Sequence, residues 1–112
     1  MELERSGSAT ILHVSGSASM EDAHRLQEKL EDLAGQQVPL IVLDLGAMDF
    51  IASMGLGAII AAHLRVRRYN GEVRIACPSP AVAQLLEMTR LTKLFGVYGS
   101  VREALQSPAA HA

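Results

Sequence analysis

The residues best suited to chemistry lie in the stretch DFIASMGLGAII, residues 49–60, where a serine stands just before two glycines that are one residue apart. A strand-like apolar run at residues 39–45 precedes this stretch, and a helical pattern follows it. Ser53 therefore lies at a predicted strand-to-helix turn. A serine hydroxyl at such a turn can cap the helix, belong to a phosphate-binding loop, act as a nucleophile, or accept a phosphate.

A dinucleotide-binding turn is disfavoured by the residues around the glycines. The fingerprint of that turn needs a third glycine, and Ile60 occupies the position with a branched side chain. It also needs an acidic residue about twenty positions on, whereas the next strand-like run ends in IAC without a carboxylate. We therefore expect neither a dinucleotide enzyme nor a bound cofactor.

A catalytic serine is disfavoured as well. The hydrolase motif is G-x-S-x-G, and this chain has Ile51 where the first glycine is required. His63 lies ten residues along the helix that Ser53 begins, which is roughly 15 Å and too far for a general base. We therefore predict that the chain is not an enzyme.

Two interpretations of Ser53 stay open on the residues alone. As a residue placed immediately before the helix, its hydroxyl would accept a hydrogen bond from a free backbone N–H and contribute about 1 kcal/mol. As a phosphorylation site, it would hold roughly −1.5 to −2 charges beside the positive end of the helix dipole, which tolerates them. In the second case the fold is retained while the charge of the surface around Ser53 becomes negative.

The elements around this turn predict an α/β fold. Gly7 between the runs MELER and TILHVS indicates an N-terminal antiparallel hairpin. Apolar residues at three- and four-residue spacing then predict a helix that Ser19 caps and Gly35 ends. The members of this stripe are Met20, Ala23, Leu26, Leu30 and Leu33.

The second half of the chain alternates strands with helices. Residues 39–45 predict a central parallel strand, and EVRIAC and LFGVYG predict two more, followed by helices that Ser79 and Ser100 cap. The helix that begins at Ser53 is expected to end at Gly71. Its predicted inner side consists of Leu56, Ile60, His63, Leu64 and Arg67. The result is a sandwich: a mixed, mostly parallel sheet with an N-terminal antiparallel hairpin and four helices.

Composition limits the partners. The 112 residues allow one domain, and ten Lys and Arg against 12 Asp and Glu give no basic excess, so neither nucleic acid nor membrane insertion is expected. The apolar runs fall far short of the roughly 20 residues of a membrane span. The single cysteine, Cys77, excludes an internal disulfide and a Cys-pair metal site, and fits a cytoplasmic location.

Other reactive side chains are expected to have structural roles. Cys77 is interpreted as a small buried hydrophobe, and Asp44 as a structural carboxylate with its hydrogen bonds satisfied. Three arginines at positions 65, 67 and 68 are interpreted as a solvated cationic end of the helix.

The order of elements and several spaced motifs resemble the STAS domains of bacterial anti-sigma factor antagonists. The similar segment begins at LIVLDL and continues through Phe50, the Ser–x–Gly–Leu–Gly helix start and the turn before EVRIAC to the tail LFGVYGSVREAL. The resemblance extends from about residue 2 to residue 105. It implies a STAS domain over residues 1–106, with residues 107–112 as a disordered tail.

The resemblance also implies a regulatory role. In that family the serine at the position of Ser53 is phosphorylated by a kinase that is also the anti-sigma factor, and a phosphatase restores the unmodified form. Ser53 is then the acceptor, and the implied partner-binding set is Ser19, Ala52, Ser53, Met54, Gly55, Leu56 and Gly57. For the two glycines, tight packing within the domain is an equal alternative to close approach by a partner.

Two positions depart from the family pattern. The family commonly has Asp directly before the acceptor and a second Asp in the loop after the second strand, where this chain has Ala52 and Ser19. Met54 also replaces the usual small hydroxyl residue. These departures leave two alternatives: an accessory subunit of an ABC-type transporter, or a scaffold domain of a sensory assembly.

Overall fold

The computed structural model describes residues 2–15, 20–48 and 53–107. Within these ranges five strands form one sheet: β1 (Glu2–Ser6), β2 (Ala9–Ser15), β3 (Leu40–Ala47), β4 (Glu72–Ala76) and β5 (Gly96–Tyr98). Four α-helices accompany them: α1 (Met20–Gly35), α2 (Ser53–Val66), α3 (Pro80–Met88) and α4 (Val101–Gln106). Short 3₁₀ turns follow α2 at Arg67–Tyr69 and precede β5 at Leu91–Lys93.

The sheet has the simplest possible order, β1-β2-β3-β4-β5. β1 and β2 form the predicted antiparallel hairpin, with Gly7 at φ +61 in its turn, and the other neighbours are parallel. Every parallel connection steps in the same direction, so right-handed crossovers place α1, α2 and α3 on one face of the sheet. The predicted mixed sheet with four helices is confirmed.

The main core lies between the sheet and the first three helices. From Ala23 onward the predicted stripe of α1 is buried, with Leu26, Leu30 and Leu33 each at most 2% exposed. Each such leucine contributes roughly 1.5–3 kcal/mol through burial. β3 is buried on both faces, which explains its nearly continuous apolar sequence.

The opposite face of the sheet carries a smaller core beneath α4. Arg74, on β4, is 2% exposed and holds the end of that helix. Its guanidinium donates to the backbone carbonyls of Ala104 at 2.6 Å and Ser107 at 2.8 Å, and pairs with Glu72 at 2.6 Å. A buried cation therefore fixes the carbonyl end of a helix of one and a half turns.

The predicted inner side of α2 is wrong in part. Leu64 is 60% exposed and Arg67 is exposed, whereas the fully buried positions include Ile59 and Val66, both at 0%. Two alanines, Ala58 and Ala62, share that buried side. The helix is apolar on most of its circumference, so the spacing of its large residues did not identify the side that faces the sheet.

The helix ends agree with the predicted caps at Ser79 and Ser100 and with the predicted stop of α1 at Gly35, whereas α2 ends at Val66, before the predicted stop at Gly71. Ser79 accepts a hydrogen bond from the Val82 N–H, and Ser100 accepts one from the Glu103 N–H at 3.1 Å. The proposed cap of α1, Ser19, lies outside the described residues, as do residues 108–112 of the predicted tail.

The left-handed residues after α1 and α2 are not glycines. Gln37 (φ 56) and Asn70 (φ 64) adopt that conformation instead of Gly35 and Gly71. Gly71 is required for a different reason, since a Cβ there would lie 2.7 Å from Cε1 of Tyr69. The backbone thus turns at Asn70, and at Gly71 it packs closely against Tyr69 and against Val66 at the end of α2.

Candidate functional site

The strand-to-helix turn lies at the carboxyl edge of the sheet, the end at which the parallel strands finish. β3 ends at Ala47 and α2 begins at Ser53. Ser53 is therefore the first residue of α2 that the structure describes, and the residues immediately before it, 49–52, lie outside the described ranges. The first four N–H groups of a helix have no partner within it, so Ser53 lies among free backbone donors.

The predicted partner-binding residues occupy different environments. Ser19 and Ala52 lie outside the described residues, and Ser53 and Met54 belong to the first turn of α2. Gly57 is exposed, and a Cβ built on it would meet no atom within 4 Å. Gly57 therefore leaves open space on the exposed side of α2.

Gly55 and Leu56 instead contact their own domain. Gly55 is buried and lines a narrow cleft with Ala23 and Leu26 of α1 and with Met48 after β3. Leu56 is half-buried and packs against the main core. Gly55 and Leu56 thus lie against their own domain, which favours the internal-packing interpretation for the glycine.

The charges on α2 favour an anion at its start. Its first turn carries no acidic side chain, and its last turn carries His63 and Arg65. Arg65, Arg67 and Arg68 are exposed, as expected for a solvated cationic end. A negative group at Ser53 would therefore meet the positive end of the helix dipole without repulsion from acidic side chains of that turn.

A polar cluster of Glu4, His13 and Asp44 crosses three neighbouring strands at the same edge. The Nδ1 atom of His13 is 2.7 Å from Oδ2 of Asp44, and its Nε2 atom is 3.0 Å from Oε1 of Glu4. The second oxygen of Asp44 accepts a hydrogen bond from the Gly46 N–H at 3.0 Å. The prediction that Asp44 is a satisfied structural carboxylate is confirmed.

Hydrogen bonds shift the pKa values within this cluster. The carboxylates of Glu4 and Asp44 raise the pKa of His13. Burial alone would raise the pKa of Asp44, but hydrogen bonds from the Gly46 N–H, His13 and Cys77 outweigh it, so the pKa of Asp44 is lowered. These hydrogen bonds tie the edge strand β1, through β2, to β3 at the centre of the sheet.

Cys77 belongs to the same region and is not simply a buried hydrophobe. It is half-buried, with φ 45, and its N–H donates to the carbonyl of Tyr98 at 2.9 Å. Burial and the neighbouring Asp44 carboxylate raise the pKa of the Cys77 thiol. A protonated thiol of this kind is a weak nucleophile.

Sequence reasoning missed the His13 cluster, although one signal for it existed. His13 and Asp44 each stand two or three residues before the end of their strands, and the sheet pairs them directly. Across the described ranges, no group of three His, Cys, Asp or Glu side chains could hold a metal ion. In the same ranges, none of the helices combines the length and the apolar character that crossing a bilayer requires.

Comparison with known proteins supplies independent information. A family model described as "STAS domain" matches residues 1–104. The "Anti-sigma F factor antagonist" of Paenibacillus polymyxa is 26% identical over 106 residues, covering 94% of this chain and 91% of the relative. The crystal structure of an anti-sigma factor antagonist from Mycobacterium paratuberculosis is 26% identical with a TM-score of 0.84, covering 93% of this chain and 88% of that one.

A third comparison concerns the fold alone. The anti-sigma factor antagonist SpoIIAA in its unphosphorylated form is 18% identical, with a TM-score of 0.81, and the match covers 93% of this chain and 91% of that one. The five-stranded sheet and the four helices described above therefore form a known fold.

Proposed function

Because the chain belongs to the STAS domain family, we propose that it acts as a non-enzymatic anti-sigma factor antagonist whose binding to a partner is switched by phosphorylation of Ser53. The partner is an anti-sigma factor that is also a serine kinase, and a phosphatase reverses the modification. The proposed place of action is the cytoplasm. The observation that carries the proposal is the position of Ser53 as first residue of α2, at the carboxyl edge of the sheet.

The local electrostatics support a switch of this kind. A phosphoserine adds about −1.5 to −2 charges and three acceptor oxygens. At the first residue of α2 these oxygens can accept hydrogen bonds from free backbone N–H groups, and the dipole favours the charge by roughly 0.3–1 kcal/mol. Phosphorylation would therefore leave the helix intact and change what a partner meets.

The departures from the family pattern determine the charge and the space that this site would present to a partner. Ala52 provides no carboxylate beside Ser53, so the unmodified turn is less negative than in relatives with an Asp at that position. Exposed Gly57 leaves open space above the helix, where the backbone of a partner can approach. Phosphorylation of Ser53 would thus add a strong negative charge at the start of α2, whose first turn carries no acidic side chain.

The direct test is incubation with ATP and each kinase encoded beside the gene, followed by mass spectrometry of the intact chain and its peptides. The expected product carries one phosphate, on Ser53. Ser53→Ala should abolish it, whereas Ser15→Ala, at an exposed serine at the end of β2, should not. A phosphate mapped to another residue, or none with any adjacent kinase, contradicts the proposal.

Partner binding gives a second readout. Titration calorimetry with the unmodified chain and with Ser53→Ala should show the same affinity, and Ser53→Asp should bind at least tenfold more weakly, a loss of about 1.4 kcal/mol. Co-purification with a transporter ATPase, in place of an anti-sigma factor, would support the accessory-subunit alternative and overturn the proposal.

A further inference from the structure

A second pocket lies at the other end of α2, away from Ser53. It has a volume of about 210 Å³. Its lining residues are His63, Arg67, Gly71, Glu72, Lys93, Leu94 and Gly96. Because His63 is ten residues beyond Ser53 on the same helix, roughly 15 Å separate the pocket from the proposed phosphorylation site.

His63 is the unusual residue of this pocket. It is 7% exposed, and neither ring nitrogen has a hydrogen-bond partner among the described residues. The ring stands edge-on to Phe95, with centroids 5.3 Å apart and an interplanar angle of 85°, so it is held in place by packing. Buried polar groups in proteins are nearly always satisfied, and an imidazole with two unpaired nitrogens indicates a missing partner.

The remaining side chains make the pocket positive. Arg67 and Lys93 are exposed, and neither has a carboxylate oxygen within ion-pairing distance in the described part of the chain. The acidic lining residue, Glu72, is paired with Arg74 at 2.6 Å. Burial and the nearby Arg67 guanidinium lower the pKa of His63, so its ring is neutral at pH 7 and has one N–H to donate.

We propose that this pocket binds a small phosphate group, either inorganic phosphate or the phosphate of a monoester, between Arg67 and Lys93 and beside the ring of His63. Arginine and lysine are the usual cationic ligands of phosphate oxygens. The volume is below the roughly 300–1,000 Å³ of pockets that enclose drug-sized ligands, which excludes an enclosed nucleotide. The site is separate from Ser53 and does not depend on its modification.

The test uses the full chain and NMR of its histidine ring signals, with the His63 signal assigned from His63→Gln. Inorganic phosphate is titrated at constant ionic strength against sodium chloride. We expect a saturable shift of the His63 signal in the millimolar range and a higher pKa of His63 in the bound form, because the anion offsets the charge of Arg67. Methyl phosphate in a parallel titration distinguishes the two sources: tighter binding of the ester identifies a phosphomonoester as the ligand.

Matched variants test the cationic ligands. Lys93→Gln and Arg67→Gln should each weaken binding about five- to tenfold. Lys29→Gln on α1 and Arg68→Gln beside Arg67 remove the same charges outside the pocket and should leave the affinity unchanged. Ser53→Ala should also leave it unchanged, so the two proposals can fail separately.

Three results would overturn the phosphate site. The first is no saturable shift of His63 at tens of millimolar phosphate. The second is an equal loss of affinity in the pocket variants and in the control variants, which indicates general charge screening. The third is an equal response to chloride, which indicates an adventitious ion only.

Discussion

A His13→Gln substitution would remove the charged centre of the Glu4–His13–Asp44 cluster and leave β2 otherwise intact. The His13 side chain is 33% exposed and that of Glu4 is 63% exposed, so their 3.0 Å pair is worth about 0.2–1 kcal/mol. Asp44 is 23% exposed and lies 2.7 Å from His13, so this pair belongs at the upper end of that range. We expect His13→Gln to lower the free energy of unfolding by about 1–2 kcal/mol at mildly acidic pH.

The sign of the pH dependence follows from the two pKa shifts. Because the pKa of His13 is raised above its ordinary value of 6.5, its contribution is complete below that value and is lost as pH rises through the folded-state pKa. Because the pKa of Asp44 is lowered from 3.8, its contribution is present above that value and is lost as pH falls through the folded-state pKa. The cluster therefore stabilises the fold most between about pH 4 and 6.5.

Urea unfolding at a series of pH values from about 5.5 to 8.5 measures this effect as the difference in the free energy of unfolding between the original chain and His13→Gln. The difference should be largest at the acidic end and should shrink as pH rises. His24→Gln, at an exposed histidine of α1, serves as the matched control and should show no such trend. Parallel stability curves for the original chain and His13→Gln over this range would refute the assignment of a charged His13 in the cluster.

Three further substitutions test the packing. Arg74→Gln removes the cation that is paired with the largely buried Glu72 carboxylate, so we expect the free energy of unfolding to fall by about 3–5 kcal/mol. Hydrogen exchange should also be faster in α4 than in α1. A fall of less than about 1 kcal/mol would contradict the role given to Arg74. Ile59→Ala should cost about 2–5 kcal/mol and Leu64→Ala less than about 0.5, both by urea unfolding, and similar losses would mean that the buried side of α2 is wrongly assigned.

The sequence predicted those elements whose signals are local. α1 has a single apolar stripe and β3 a continuous apolar run, and each pattern is compatible with one arrangement only. Ser79 and Ser100 cap their helices through hydrogen bonds three residues along the chain, so neighbouring residues were sufficient to find them. The strand before Ser53 and the helix that starts there were predicted for the same reason.

Features that depend on distant residues were missed. The buried side of α2 is selected by close packing against α1 and the sheet, and a helix that is apolar on most of its circumference does not reveal that side in its own spacing. The contacts of His13 and Arg74 depend on strand register and on where α4 lies. These partners stand about thirty residues away, at separations of 31 and 30 positions, and no local pattern contains them.

The packing of α2 also determines how phosphorylation of Ser53 would act. A phosphate at the start of the helix interacts favourably with the helix dipole and stabilises α2 by roughly 0.3–1 kcal/mol. Moving α2 would expose Ile59 and Val66, which are fully buried and contribute roughly 1.5–3 kcal/mol each. Because the burial terms are larger, the modification should not displace the helix. The switch would then act through the charge presented to a partner, and amide NMR shifts on phosphorylation should be confined to the first turn of α2 and its immediate neighbours, leaving Ile59 and Val66 unchanged.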